Sequence, residues 1–554
     1  MAIYLCLVGV VETFRTRWVV ADAMGLGQAF LLVIMLAAGY VAARRTAPAG
    51  WLWAMIEGAG GGLLAGASLA VLLLVGSVVN VRTIFINASP TLYALLSVGL
   101  TPSHGSLALL GVGAIAGACG AIVFLVPPAA RRTLLWGVFA VLVLSIFQDL
   151  LQLLLQPRGV ASAIRDLLFT ADGPSLRGAG GVFILTLAVS ATWTFVGRSA
   201  RDRAGRLAPR GRHGLRGAGI ALALAGLLLV PIAGGPFVAQ VMVLVGLYIL
   251  MGLGLNLEVG FAGLLDLGFV AFFAIGAYTV ALLTSRGEHG IAHLSFWAAI
   301  PVAIAVSLVA GVIFGVPVLR VRGDYLAIAT LGLGEIVRLL VLSDALGPWL
   351  GGSFGVLGIP KPVIAGWELS GPRQLYYLTA VASALIAYVA WRLQDSRLGR
   401  AWMAIREDED VAQAIGINLI STKLLAYGIG GAMGGIGGAI FAVMLGSVFP
   451  HSFQLLISIN VLVLIILGGM GSIWGVIVGA LVLIGLPELL REFGEFRFLI
   501  YGVVLVVMML YRPEGLLPAA AQKLELHAEE AAEPDAAGAV VPGGAAGAGG
   551  RGGE

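Results

Sequence analysis

The chain has 554 residues, of which 59% are hydrophobic and only 11% charged, a balance far from that of a water-soluble domain. A net charge of +4 gives no support to a nucleic-acid partner, and two cysteines, Cys6 and Cys119, are too few for a disulfide framework or a cysteine metal site. What remains is an all-α integral membrane protein, a polytopic transmembrane helix bundle of about 15 spans, because one crossing takes ~20 apolar residues and such runs recur along nearly the whole length. The 80 glycines suit helices that associate in lipid through close backbone approach.

In chain order, the apolar stretch Ile3 to Val11 has no basic flank and runs into Glu12, so it does not read as a cleaved signal peptide. Spans are expected at 24–43, stopped by Arg44 and Arg45, then at 58–79, 106–126, 133–155 and 181–197. Residues 1–200 thus read as an N-terminal membrane extension of about five spans. Residues 201–216 carry Arg201, Arg203, Arg206, Arg210, Arg212 and Arg216 with Asp202 as the one acid. By the positive-inside rule this linker is cytoplasmic, and it also suits anionic lipid headgroups.

Ten further spans are expected at 217–234, 237–255, 259–284, 296–319, 325–343, 375–392, 423–447, 457–470, 473–487 and 498–511. Alternation from the linker places the turn with Arg320 and Arg322 inside, the 344–374 loop outside, and both the 393–421 loop and the C-terminus inside. The pair 457–470 and 473–487 meets at Gly468, Gly469, Gly471 and Ser472, which fits either two crossings or two half-helices. Residues 519–554, rich in Ala, Gly and Glu, read as a disordered tail.

Catalytic patterns are missing. Lys361, Lys423 and Lys523 are the only lysines and none completes a phosphate-binding GxxxxGK[ST] loop. No HExxH occurs, and His289 and His293, four apart beside Glu288, fall in an exterior loop where solvation outweighs metal binding. No catalytic residue, metal or cofactor is therefore assigned to the chain. Charges inside apolar spans are costly unless paired or facing the bundle interior. Asp266 has no basic residue within helical reach, while Glu335 and Arg338 stand at i, i+3 and can pair on one face. With Tyr278 they are the candidates for a translocation pathway, alongside structural hydrogen bonding for Asp266 and structural pairing for the other two.

The densest charge in the second half lies at Arg397–Asn418, RLGRAWMAIREDEDVAQAIGIN. As one helix, residues 405–417 place Val411, Ala414 and Ile415 on a single face. Ala412 and Gly416 are then small positions one turn apart that admit a partner's backbone. Arg400 and Arg406 with Glu407, Asp408, Glu409 and Asp410 form a charged rim. A helix of this kind suits a groove on a soluble protein, and a solvated topogenic loop is the plainer alternative.

Asp410 to Gly416, DVAQAIG, resembles in register the EAAxxxG loop of ABC importer permeases. GFAGLLDLGFVAFFAIGAY (Gly260–Tyr278), RVRGDYLAIATLGLGEIVRLL (Arg320–Leu340), GRAWMAIREDEDVAQAIGIN (Gly399–Asn418), ILGGMGSIWGVIVGA (Ile466–Ala480) and YRPEGLLP (Tyr511–Pro518) together resemble the LivM-type permeases of branched-chain amino acid importers. The resemblance implies a permease domain at 217–518 with its coupling loop at 393–421, and ATPase coupling through Arg400, Ala404, Arg406, Glu407 to Asp410, Ala412 and Gly416. It implies a chain that is not itself an enzyme, in the inner cell membrane with its C-terminus cytoplasmic. The implied partners are a second permease subunit, two cytoplasmic ABC ATPases that use the ATP, an extracytoplasmic substrate-binding protein and membrane lipid. A branched-chain amino acid is the implied cargo, with urea or short amides as alternatives. A self-sufficient secondary transporter would have to rely on Asp266 and Glu335 for ion coupling. Two departures stand out: residues before 217 have no recognised counterpart, and the loop at 344–359 keeps the glycines Gly351, Gly352 and Gly355 but is less polar than the family's.

Overall fold

The computed structural model describes residues 2–190 (except 22–23, 47–49, 86, 156–159 and 171–172), 226–491 (except 233, 319–320 and 322) and 501–518 (except 504, 507, 509, 511 and 513). The arginine-rich segment 201–216, Arg320, Arg322 and the tail 519–554 lie outside the described residues, as do residues 217–225 of one expected span. The chain divides into two compact units, Met1–Leu227 and Leu228–Glu554.

In the first unit the longer helices are α1 (Leu26–Thr46), α2 (Trp51–Val78), α3 (Pro102–Leu125) and α4 (Pro128–Ile146). Glycines let α2 and α3 touch backbone to backbone: a Cβ on Gly62 would lie 2.6 Å from Gly117 Cα, and one on Gly58 would lie 2.6 Å from Ala121 Cβ. Such contacts replace the hydrophobic drive that lipid removes. The expected span 133–155 is not one helix. α4 ends at Ile146, capped by Phe147, and a separate short helix, Gln148–Leu154, follows, where Arg17 reaches in to donate to the Ile146 carbonyl and pair with Asp149.

In the second unit α5 (Gly235–Leu255), α6 (Val270–Thr284), α7 (Phe296–Val318), α8 (Asp324–Leu342) and α9 (Pro372–Gln394) precede two short helices, α10 (Arg397–Glu407) and α11 (Glu409–Ala414). Then come α12 (Leu419–Leu445), α13 (Leu455–Gly468) and α14 (Ile473–Ala480). The 27-residue α12 rises about 40 Å and is the axis of the unit, packed against α5, α6 and α7. Its glycines carry the contact, since a Cβ on Gly438 would overlap the Phe273 carbonyl oxygen and one on Gly276 would overlap that of Gly435.

Nine helices among the described residues are long and apolar enough to cross a membrane, and Leu176–Ser190, Val270–Thr284 and Ile473–Leu489 are shorter apolar helices. α13 and α14 form a tight hairpin about the glycine turn. Leu516 and Leu517 close it by donating 2.9 Å backbone bonds to the carbonyls of Leu467 and Gly468. Leu516 and Leu517 thereby clasp that turn.

Candidate functional site

The expected span 259–284 is broken. Asn256–Phe261 forms a wide π-type turn at the end of α5, residues 262–269 leave the helix, and α6 starts only at Val270. Freed backbone groups at membrane depth need partners inside the protein, and three side chains supply them here, while a fourth, Asn256, reaches from the turn to the glycine turn of the α13–α14 hairpin. Thr330 Oγ1 of α8 accepts from the Leu267 amide at 3.0 Å, and Ser458 Oγ of α13 accepts from Val270 at 2.9 Å. Asp266 Oδ1 accepts from Gly268 at 2.6 Å, and Asn256 Oδ1 accepts from Gly471 at 2.9 Å. Gly268 sits so close to Thr330 and Gly334 that a side chain there would strike backbone.

The charged segment docks beneath this break. Residues 405–417 are two helices rather than one, because Asp408 is extended (φ −157°, ψ 114°) and serves as N-cap of α11, accepting from Asp410 and Val411 at 2.9 Å each. Such a cap contributes about 1 kcal/mol. α10 is anchored by Trp402, fully buried, whose indole donates to the Thr422 carbonyl at 2.8 Å. Arg406 Nη1 donates to the Gly260 carbonyl at 2.6 Å, joining α10 to the broken segment. A charge-assisted bond of this kind is worth about 1.5–3 kcal/mol. Glu409 pairs with Lys423 of α12 at 2.5 Å, and Arg400 donates to the Asp395 carbonyl at 3.0 Å.

The acidic run is therefore not a uniform rim: Asp408 caps, Glu409 pairs, and Glu407 and Asp410 are exposed. Ala404 is half-buried. Ala412, expected to face a partner, is 1% exposed and packs on its own chain, because the break at Asp408 rotates α11 relative to α10. Gly416, at φ +92°, ends α11 with the paired bonds Gly416 N–H to Gln413 and Ile417 N–H to Ala412, a Schellman motif that calls for glycine. The apolar face left open is Val411 and Ile415, 57% and 70% exposed.

The four pathway candidates are not brought together as one site. Asp266 is 2% exposed inside the break. Tyr278 lies in an aromatic cluster with Phe453, ring centroids 5.8 Å apart. Glu335 and Arg338 pair with each other through Arg338 Nε at 3.0 Å and are partly exposed on α8.

Sequence reasoning passed over Asn256 and Glu258, the latter fully buried, by placing a span boundary at 255–259. A usable signal was the absence of any proline or basic residue across GLNLEVG (Gly254–Gly260). At the other end of α12, Val356–Leu357 pairs with Ser447–Val448, and Lys361 Nζ donates to the Val443 and Met444 carbonyls at 2.7 and 2.8 Å. Burial lowers the Lys361 amine below its ordinary value, opposed by Glu368. Beside that strand pair is a cavity of about 540 Å³ whose polar lining includes Glu288, His289, Ser343, Asp344 and Ser353. No group of three or more metal-binding side chains occurs among the described residues.

Residues 237–511 match the family model described as branched-chain amino acid transport system / permease component. The chain is 42% identical over 308 residues to the high-affinity branched-chain amino acid transport system permease protein LivM of Salmonella typhimurium, covering 51% of this chain and 71% of the relative. A probable branched-chain amino acid transport permease protein LivM of Methanocaldococcus jannaschii is 24% identical over 331 residues, 51% of this chain and 93% of the relative. The autoinducer 2 import system permease protein LsrC of Escherichia coli O157:H7 is 25% identical over 235 residues, 38% of this chain and 63% of the relative. No solved structure matches.

Proposed function

This chain belongs to the branched-chain amino acid transport permease family, and we propose that it forms half of the translocation pathway of an ATP-driven importer for leucine, isoleucine and valine. Its partners in this reading are a second permease subunit, two cytoplasmic ABC ATPases and an extracytoplasmic binding protein that delivers the amino acid. The inner cell membrane is its place, with the C-terminus cytoplasmic. ATP hydrolysis belongs to the partner subunits, and the binding protein's selectivity relieves the membrane cavity of holding a high-affinity site.

The observation that carries the mechanism is the two-sided build of α10–α11. One side, Trp402, Ile405 and Ala412, is buried in the chain's own core, and the other side offers Val411 and Ile415. Closure of the ATPase pair displaces this lever. Arg406 passes the displacement to Gly260, in the segment where the helix is already broken and little helical structure has to be lost to move. Energy enters only through contacts that differ between the inward-open and outward-open states, and the exposed face of α11 is where such contacts with an ATPase would form.

Cargo is tested by ATP-dependent uptake of labelled leucine into proteoliposomes holding the assembled importer and its binding protein. Unlabelled isoleucine and valine are expected to compete, and urea and acetamide are not. Uptake indifferent to isoleucine and valine would overturn the cargo assignment without touching the coupling geometry.

A further inference from the structure

Glu258 lies in the wide turn that opens the break and Asp266 within the break, and both are buried, 0% and 2% exposed. The chain turns back between them, with the Leu264 amide donating to the Glu258 carbonyl at 2.9 Å, and this leaves the two carboxyls within electrostatic reach of each other. Asp266 Oδ1 is occupied by the Gly268 amide, yet neither oxygen of Glu258 has a hydrogen-bond partner among the described residues. The Glu258 carboxyl rests against α12, where its Cδ would be 2.9 Å from a Cβ on Gly430. Tyr427 stands three residues earlier on the same face of α12. It is 2% exposed, its hydroxyl is likewise without a partner among the described residues, and it lies within electrostatic reach of both carboxyls.

Two ionised carboxylates cannot share an apolar interior without compensation. The groups that face the pair supply no positive charge. α12 offers the neutral Tyr427 and Gly430, α8 offers Thr330, whose hydroxyl accepts from Leu267 and donates to the Ala327 carbonyl, and α13 offers the neutral hydroxyl of Ser458, which accepts from Val270. The nearest cation on the docking side, Arg406 of α10, is directed to the Gly260 carbonyl, and no ion pair to Glu258 or Asp266 occurs among the described residues.

We infer that Glu258 and Asp266 form a proton-binding site, in which one proton held between the two carboxyls turns Glu258 from an orphaned acceptor into a donor to Asp266 and leaves a single negative charge for the Tyr427 hydroxyl to bind. The proton comes from solvent and no bond other than O–H forms or breaks. The site lies in the segment that Arg406 grips, so its occupancy bears on how that segment holds its shape. It stands apart from the transport reading, because a bound proton is detected without any uptake.

The test is infrared difference spectroscopy of the assembled importer in lipid, wild type minus Glu258→Gln, with hydrogen–deuterium exchange to mark the band. A protonated-carboxyl C=O stretch is expected in wild type at neutral pH and lost in Glu258→Gln, whose amide supplies the missing hydrogen. Asp266→Asn, the second variant, is expected to lose the same band. In parallel, the wild-type unfolding temperature is expected to rise as pH falls, by linkage to the bound proton, and Glu258→Gln is expected to flatten that response. The same band in wild type and both variants would overturn the inference. So would a pair with no protonated band whose unfolding temperature rises with sodium but not with acidity, which would assign it to a metal cation.

Discussion

Ile415→Arg is expected to reduce ATP-driven uptake by about thirtyfold or more, the loss of a central apolar contact worth some 2 kcal/mol at an interface, while the chain still inserts and folds. Ile415 is 70% exposed, so an arginine there strains nothing within the chain. Val411→Arg is expected to act in the same direction. Gly416→Arg is the less informative change, because the backbone at φ +92° resists any side chain and loss of function would mix a broken helix cap with a lost contact. Uptake and co-purification of the ATPases with the permease measure the effect together. Normal values of both for Ile415→Arg would remove the exposed face of α11 from the coupling pathway.

The second large effect is on the fold. Gly438→Val is expected to destabilise the permease by about 3 kcal/mol, the upper end of what overpacking costs, because the atom in the way is backbone and cannot rotate aside. A Cβ at 438 meets the Phe273 carbonyl and the Ala277 amide at once, whereas Gly332 of α8 has open space around it. Gly332→Ala is therefore the control. It is expected to be neutral or to gain up to about 1 kcal/mol of helix stability. Thermal unfolding of the solubilised chain distinguishes the two, and equal midpoints would mean that α6 and α12 are not in backbone contact.

The helices that hydrophobic periodicity and length can define were legible in the sequence: α5, α7, α8, α9 and α12 all begin and end within a few residues of the expected spans. So was the charge island at Arg397–Asn418, because nothing else in the second half has its composition. What was not legible depends on partners far along the chain. The break before α6 is held by Thr330, 63 residues from Leu267, and by Ser458, 188 residues from Val270, and no local pattern announces either.

The same holds for the charges. Glu409 reads as one member of an acidic run until Lys423 is seen beside it, and Arg406 reads as a rim residue until Gly260 is. Ala412 reads as a docking position only while α10 and α11 form one helix. Asp408, with an acid's preference for an N-cap, was the residue that could have shown the break. Glu258 and Asp266 are neighbours only because the chain between them turns back.

The coupling claim is tested most directly by disulfide cross-linking in the assembled importer, with Ile415→Cys on the permease, Cys6 and Cys119 replaced, and single cysteines placed around the ATPase groove. Cross-links to the ATPase are expected at Ile415→Cys and at Val411→Cys, with a yield that changes when ATP binds, and none at Ala412→Cys on the buried side. Cross-linking that is absent at 411 and 415, or that is indifferent to ATP, would contradict the assignment of α10–α11 as the lever.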